Sequence, residues 1–524
     1  MARMGLCLPV LALIGACSSG AREVIEDVSS PPFDGGETDG RIVDGGSADG
    51  GTADAGPGDV WTPRDSGHFE PLGCPEEQGT QKTLREKAEY FDTVGQKWHV
   101  PQGQPLWFSV QLKEDLETFD RIDLSDNVGT WTSLYAASQA FRYAVTKSPE
   151  SLDNLRRVVK GLRDMERITG VRGLLTRAYI NPALPGFPSA EQLKANYPDC
   201  DLSVKHCKRY NEVNEGEFAG WWFKNDVSKD EYAAHMFAYA VIWEIVDDTE
   251  VRRLVAESVT AIGDHLVDNE LWITDMDGRV TTFGHMNAMG FDDYSGFNAV
   301  LSLSWLKLAA VVGGEKYDDY YKICLLQQNG RRDCVHDEEP MPYTYYLDTI
   351  GLNLKCKTNW NNHNMAQLSM YHLLRFEDDA VLLADYRKAL RDQMWEPDDP
   401  YPMRDQQKTL YSFFYFVNKD PADPWPDEAA RQAMCTMKTF PEHKAHYAVD
   451  NFAKYTQVCL DRSDEPLTDV VIPVYERGMD NCVWLNNPYR MEKEDAYPQI
   501  VESPEDYLLA YWMGRFFGFI TEEM

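Results

Sequence analysis

Two short stretches hold side chains of the kinds that move protons. In residues 358–374, TNWNNHNMAQLSMYHLL, an apolar pattern of helical period runs through Met365, Leu368, Tyr371 and Leu374. Asn residues and His363 crowd the start of that pattern. One Asn is explained as a helix N-cap. Asn361 and Asn362 beside His363 and Trp360 exceed what a cap needs, and mark the expected floor of an active site. The second stretch is KDEYAAH, residues 229–235. Asp230 and Glu231 sit at a predicted helix start, where carboxylates favour the helix dipole. Glu231 and His235 are four apart and share a face with Tyr239 and Ile242, so the pair points inward. A polar pair on an inward face needs a partner or a role.

Two chemistries fit these types. Splitting a glycosidic bond with water takes two carboxyl groups roughly 5 to 9 Å apart, and Asp126 with Asp230 or Glu231 is the candidate pair. β-Elimination on a uronate takes hydrogen-bonding groups that neutralise the carboxylate, a base for the C5 proton and an acid for the leaving oxygen. Asn362 and His363 supply part of that set. Further along, His285 lies in a Gly-flanked segment after Asp277–Gly278, which reads as a tight turn between two short strands. The acids there are too few for a calcium loop. Trp131, Trp222 and Trp360, with Trp221 and Trp484, are candidate platforms for a sugar ring, although core packing is the commoner use of Trp.

The elements that position these residues read as helical hairpins. The stretches 129–145 and 152–165 pair across Lys147-Ser-Pro-Glu. Residues 230–246 pair with 251–267, 297–312 with 316–325, 364–374 with 380–390, and 407–417 with 428–437. The last helical stretch, 504–519, is the expected partner of the first, 81–90. About six hairpins with short internal turns and long aromatic-rich links predict an all-α (α/α)6-type toroid, closed by its own termini, with small β-hairpins in the links.

Ahead of this domain lie two unfolded pieces. Arg3 and the apolar run 6–14 make a targeting signal too short to span a bilayer. Its end, Leu13-Ile14-Gly15-Ala16-Cys17, resembles the lipobox of bacterial lipoproteins. That implies removal of residues 1–16, lipidation of Cys17 and, with Ser18 following, sorting to the outer membrane of the cell envelope. Residues 17–73 are rich in Gly, Asp and Ser and read as a solvated tether. The tether carries 12 acids and 3 bases between Arg22 and Glu70, against a net charge of −34 for the chain. The folded part, 74–524, is therefore acidic in its own right, which excludes nucleic acid as a partner and a membrane face held by charge.

Cys200/Cys207 and Cys324/Cys334 bracket short loops and are the expected local disulfides in an exported chain. No CxxC or His-x3-His spacing appears, so neither zinc nor any other cofactor is expected.

Ring-closing helical hairpins resemble the toroids of polysaccharide lyases and six-hairpin glycosidases. The segments TWTSLYAASQAFRYAV, SKDEYAAHMFAYAV and DYLLAYWMGRFFGFI resemble parts of bacterial proteins of that class. Asn361-Asn362-His363 is similar to the Asn-Asn-His of toroid alginate lyases. The resemblance implies an oligo- or polysaccharide substrate, with Arg404 helping Asn362 neutralise a uronate and Tyr411 sharing proton transfer with His363. The sequence departs from that family after the His, where Asn364 and Met365 replace aromatic residues. Three readings stay open: a lyase, a hydrolase, and a surface lipoprotein that binds glycan without turning it over.

Overall fold

The computed structural model describes Cys74 and residues 82–195, 208–288, 294–328, 341–352, 354–397, 401–479 and 486–524. The signal and lipobox with Cys17, the tether, Cys200, Cys207, Cys334, Cys482 and Trp484 lie outside the described residues.

All the predicted hairpins form. Helix α1 is Leu84–Val94, α2 Val128–Thr146, α3 Pro149–Arg167, and α4 the short Ala190–Ala195 in the following link. Then come α5 Lys229–Ile245, α6 Thr249–Asp268, α7 Ser295–Gly313, α8 Glu315–Asp319, α9 Trp360–Phe376, α10 Ala380–Ala389, α11 Thr409–Asn418, α12 Asp427–Thr439 and α13 Glu505–Phe516. The turns follow from local chemistry. Lys147, in the left-handed region at φ 51°, ends α2, and Pro149 opens α3. Asp248 caps α6 and Asp379 caps α10 through backbone N–H groups.

One set of helices is buried all round. In α5 every residue from Glu231 to Ile242 is buried, as is every residue from Gly296 to Ala309 in α7 and from Glu505 to Gly514 in α13. Their partners α3 and α6 bury a single stripe, for example Leu155, Val158, Val159, Leu162 and Met165. The first set is thus an inner ring, α2, α5, α7, α9, α11 and α13, around which neighbours pack in sequence and α13 returns to α2. The termini close it: Leu84 N–H donates to the Met524 carbonyl at 2.6 Å, and the Tyr507 hydroxyl to the Leu84 carbonyl at 3.0 Å.

The inner helices run the same way. Thr130 on α2 bonds Glu231 on α5, and Lys229 on α5 bonds Asn298 on α7 at 3.0 Å. Trp305 on α7 bonds Ser369 on α9 at 3.2 Å, Tyr411 on α11 bonds Asn364 on α9, and Trp107 joins the starts of α13 and α2. The long links all enter at this end, so the inner N-termini form one rim.

The links hold the expected hairpin, strands 272–274 and 280–285, with Gly278 at φ +77° in its turn. They also hold more than hairpins. Strands 109–112 and 119–123 join 445–446 and 497–501 in a four-stranded antiparallel sheet. No local pattern announces a sheet assembled from both ends of the chain. The disulfides likewise reach further than expected. Cys74 pairs with Cys435 and Cys356 with Cys459, across separations of 361 and 103 residues. Cys324 is disulfide-bonded as well.

Candidate active site

The rim carries polar side chains in two groups. The first lies where α2 meets α5. Glu231 is fully buried in the first turn of α5. Its Oε2 accepts from the Thr130 hydroxyl and from the Thr130 N–H at 3.2 Å, while Oε1 has no hydrogen-bond partner among the described residues. Burial pushes its carboxyl up to about 8, against the opposing pull of Arg177 and Thr130. Asp230, next along the helix, keeps an opening to solvent and accepts from Ser228 Oγ at 2.8 Å. Its carboxyl is also raised by desolvation, with Ser228 and Arg177 pulling the other way.

Arg177 organises this group. Its Nε donates to the Asp226 carbonyl at 2.6 Å and its Nη1 to Asn127 Oδ1 at 3.4 Å, and its charge acts on both Asp230 and Glu231. His235 does point inward with Glu231, as its register predicts, yet the two side chains do not bond. His235 Nδ1 donates to the Glu231 backbone carbonyl at 2.7 Å, and burial lowers the ring to about 4, so it stays neutral. A Cβ on Gly129 would come within 2.9 Å of the His235 ring, so the glycine admits it. Asp126 is bound to Lys208 and Lys224. Burial opposes its ionisation, but the two ammonium groups hold it well below the usual carboxylate range. That makes Asp126 a poor proton donor.

The second group lies where α9 meets α11. Asn359 caps α9 by accepting from the Asn361 N–H at 3.1 Å. His363 is buried; its Nε2 bonds the Leu352 carbonyl at 3.2 Å and its ring stacks on Trp360 with centroids 4.9 Å apart. Burial, with Lys408 adding to it, lowers His363 to about 3. Tyr411 is buried and donates to Asn364 Oδ1, and burial drives its phenol far up. Lys408, at the head of α11, lies over the Trp360 ring at 4.3 Å and the Tyr411 ring at 5.1 Å.

Several expected site residues stand elsewhere. Arg404 faces solvent, where it pairs with Glu396 and Asp405, because the 3-10 turn Met403–Asp405 buries Met403 instead. Asn361 is exposed, while Asn362 is buried. Trp222 is buried in the strand Trp222–Lys224, while Trp131, Trp221 and Trp360 keep partial exposure. His285 packs its edge on Trp272 at 4.8 Å, and its backbone carbonyl accepts from Lys229 at 2.8 Å. Thr130 and Lys408 are the residues that sequence reasoning missed. Lys408 carries a signal: it is a lone cation directly before the apolar run 409–417.

Two surface grooves of about 520 and 420 Å³ lie away from the rim, one beside Lys307 and Glu377, the other between α3 and α6.

No family model matches the chain, and no curated protein matches it. Solved structures do. A family 76 glycoside hydrolase from a bovine Bacteroides thetaiotaomicron strain aligns with a TM-score of 0.37 and 11% identity, over 83% of this chain and 77% of its own. A family 76 α-mannanase of Bacteroides thetaiotaomicron aligns at 0.36 and 11%, over 84% and 95%. A family 76 mannosidase of the same species aligns at 0.34 and 11%, over 83% and 98%. What the rim can do follows from its own side chains. Glu231 holds a proton at neutral pH, Asp230 meets solvent beside it, and Arg177 supplies positive charge to both.

Proposed function

We propose that this protein is a carbohydrate-active enzyme that cleaves glycosidic bonds by hydrolysis. Glu231 supplies the proton to the leaving oxygen, and Asp230, the more open of the two, activates water or attacks the anomeric carbon. The observation that supports this reading is the contrast between two adjacent carboxyl groups on one helix head. One is buried against Thr130 and pushed up to about 8; the other meets solvent. Carboxyls whose surroundings set them apart in this way fit the roles of acid and base. Hydrolysis fits better than β-elimination, because elimination needs Arg404 at the uronate carboxylate, and Arg404 is turned outward to Glu396 and Asp405. The site lies on the toroid, and the lipid on Cys17 with the tether 17–73 would hold it at the outer membrane.

The test is a panel of neutral and acidic polysaccharides incubated with the full chain and with Asp230→Asn. Reducing ends should appear without absorbance near 235 nm, and D230N should lose about 10²–10⁴ of the rate. Product that absorbs at 235 nm, or turnover that ignores D230N, would overturn the assignment. Glycan binding with no turnover would leave a binding protein instead.

A further inference from the structure

The acid pair depends on Arg177, and Arg177 is held by a residue that the mechanism just given does not use. Asp226 lies in the short turn between the strand Trp222–Lys224 and α5, four residues before Asp230. It is buried, and its backbone is left-handed at φ 55°. Glycine takes that conformation freely, whereas a residue with a side chain carries strain that its surroundings must hold in place. Of the nine non-glycine residues with positive φ among the described residues, Asp226 and Leu271 alone are buried, and Leu271 continues the turn that ends α6.

All four polar atoms of Asp226 are committed. Its N–H donates to Asp275 Oδ2 at 3.0 Å. Its Oδ1 accepts from the Thr282 N–H at 2.7 Å, and its Oδ2 from the Thr282 hydroxyl at 2.9 Å. Asp275 and Thr282 belong to the hairpin of strands 272–274 and 280–285, so one hairpin grips both the backbone and the side chain. Asp275 is fixed in turn by Asn225 Nδ2 at 3.1 Å and by the Met276 N–H at 2.8 Å. The fourth atom, the Asp226 carbonyl oxygen, accepts from Arg177 Nε at 2.6 Å. Beside that bond, the contact of the guanidinium with Asn127 Oδ1 is long, at 3.4 Å. Arg177 acts on Asp230 and Glu231 through its charge, so its effect on them depends on where the guanidinium is held. A turn that needed only this backbone would take Gly. The carboxylate, bonded at both oxygens, locks the direction of the carbonyl.

We propose that Asp226 is a positioning residue of the acid pair: its left-handed backbone, gripped by Asp275 and Thr282, aims its carbonyl at Arg177 and fixes the guanidinium beside Asp230 and Glu231. This deepens the hydrolase reading, and rests on it only for the effect on rate. The charged side chains that act on Glu231 are Arg177 and Asp230, with Lys224 facing it from the neighbouring strand. Arg177 favours the ionised form of Glu231, against burial and Asp230, which favour the protonated one. A guanidinium that drifts away therefore leaves Glu231 holding its proton to higher pH.

The experiment reads that proton directly in the full chain. The infrared band of a protonated carboxyl, assigned to Glu231 by its loss in E231Q, is titrated with pH. In the parent it should fade around pH 8. Asp226→Ala loses both Thr282 bonds and strains the backbone, and should raise the midpoint by about one pH unit. Asp226→Asn tolerates the left-handed region and can keep both bonds, so it should bring the midpoint back to the parent value. Arg177→Gln should raise the midpoint by itself, and D226A added to R177Q should raise it no further. If D226A does not fold, Asp226→Gly takes its place, because it adopts this φ freely, lacks the same two bonds and should show the same shift. A midpoint unmoved in D226A or D226G, a shift in D226N as large as in D226A, a further rise on the R177Q background, or a parent with no band that E231Q removes would each overturn the assignment. The hydrolase reading is tested separately. If it holds, D226A should lower kcat about tenfold or more with KM little changed, and D226N should restore it. Midpoints that move as expected in a chain that cleaves no glycan leave the positioning role standing and remove hydrolysis. Cleavage by the parent with an unmoved midpoint in D226A does the reverse.

Discussion

Replacing Glu231 by Gln should make the fold more stable and the enzyme inactive. The carboxyl is fully buried and raised from 4.5 to about 8. Gln has nearly the same shape, and its amide oxygen can accept from Thr130 as Oε2 does. It never ionises in the unfolded chain, so folding takes up no proton on its account. At pH 7 the unfolded Glu is ionised and the folded Glu is not. The gap between pH 7 and its ordinary value, at 1.36 kcal/mol per unit, makes that proton uptake cost about 3 kcal/mol. The sign follows from the raised folded value: stability from this group is intact below about 4.5 and is lost as pH rises through about 8. The advantage of E231Q is thus absent at pH 4, partial at pH 5.5 and near 3 kcal/mol at pH 7. Guanidinium unfolding of both proteins at these three values reads it directly, beside a reducing-end assay at pH 7. A stability gap that does not widen with pH, or E231Q with full activity, would refute the burial argument or the acid role respectively.

Thr130→Val removes a hydroxyl that holds the Glu231 carboxyl down and leaves the backbone N–H bond. The alkaline limb of the pH–rate profile should move up and kcat should fall, while an unmoved limb would show that Glu231 does not carry the titrating proton. Changing both Cys356 and Cys459 to Ser opens a 103-residue loop tied across the segment that feeds α9. Chain entropy puts the loss at about 5 kcal/mol, to be read as a lower denaturant midpoint, with a steeper slope because the untied unfolded chain exposes more surface. Gly173→Ala places a Cβ 2.1 Å from the Ala261 carbonyl oxygen at a residue of φ +75°, which joins the first and second hairpins. It should destabilise by about 2–4 kcal/mol, and a Tm within a degree of the parent would contradict the packing seen there.

The hairpins were legible because each is local: period, turn and cap lie within some forty residues, and the inner helices declare themselves by being apolar on every side. Ring closure was legible for the same reason, since 504–519 and 81–90 lacked any other partner. The four-stranded sheet and the two long-range disulfides were not, because their halves lie a hundred or more residues apart and neither half carries a pattern of its own. The site divides along the same line. Asp230, Glu231, His363 and Tyr411 were visible as residue types at helix starts. Their states were not visible, because each state is set by a neighbour from another hairpin. Thr130 and Arg177 hold Glu231, and Asn364 accepts the hydrogen bond of the Tyr411 hydroxyl. Arg404 shows the converse: the lyase resemblance placed it at the site, but Met403 took the buried place and turned it out. Lys408 was passed over because a single Lys before an apolar run is ordinary in sequence. Its burial beneath Trp360 shows only once the fold has closed around it.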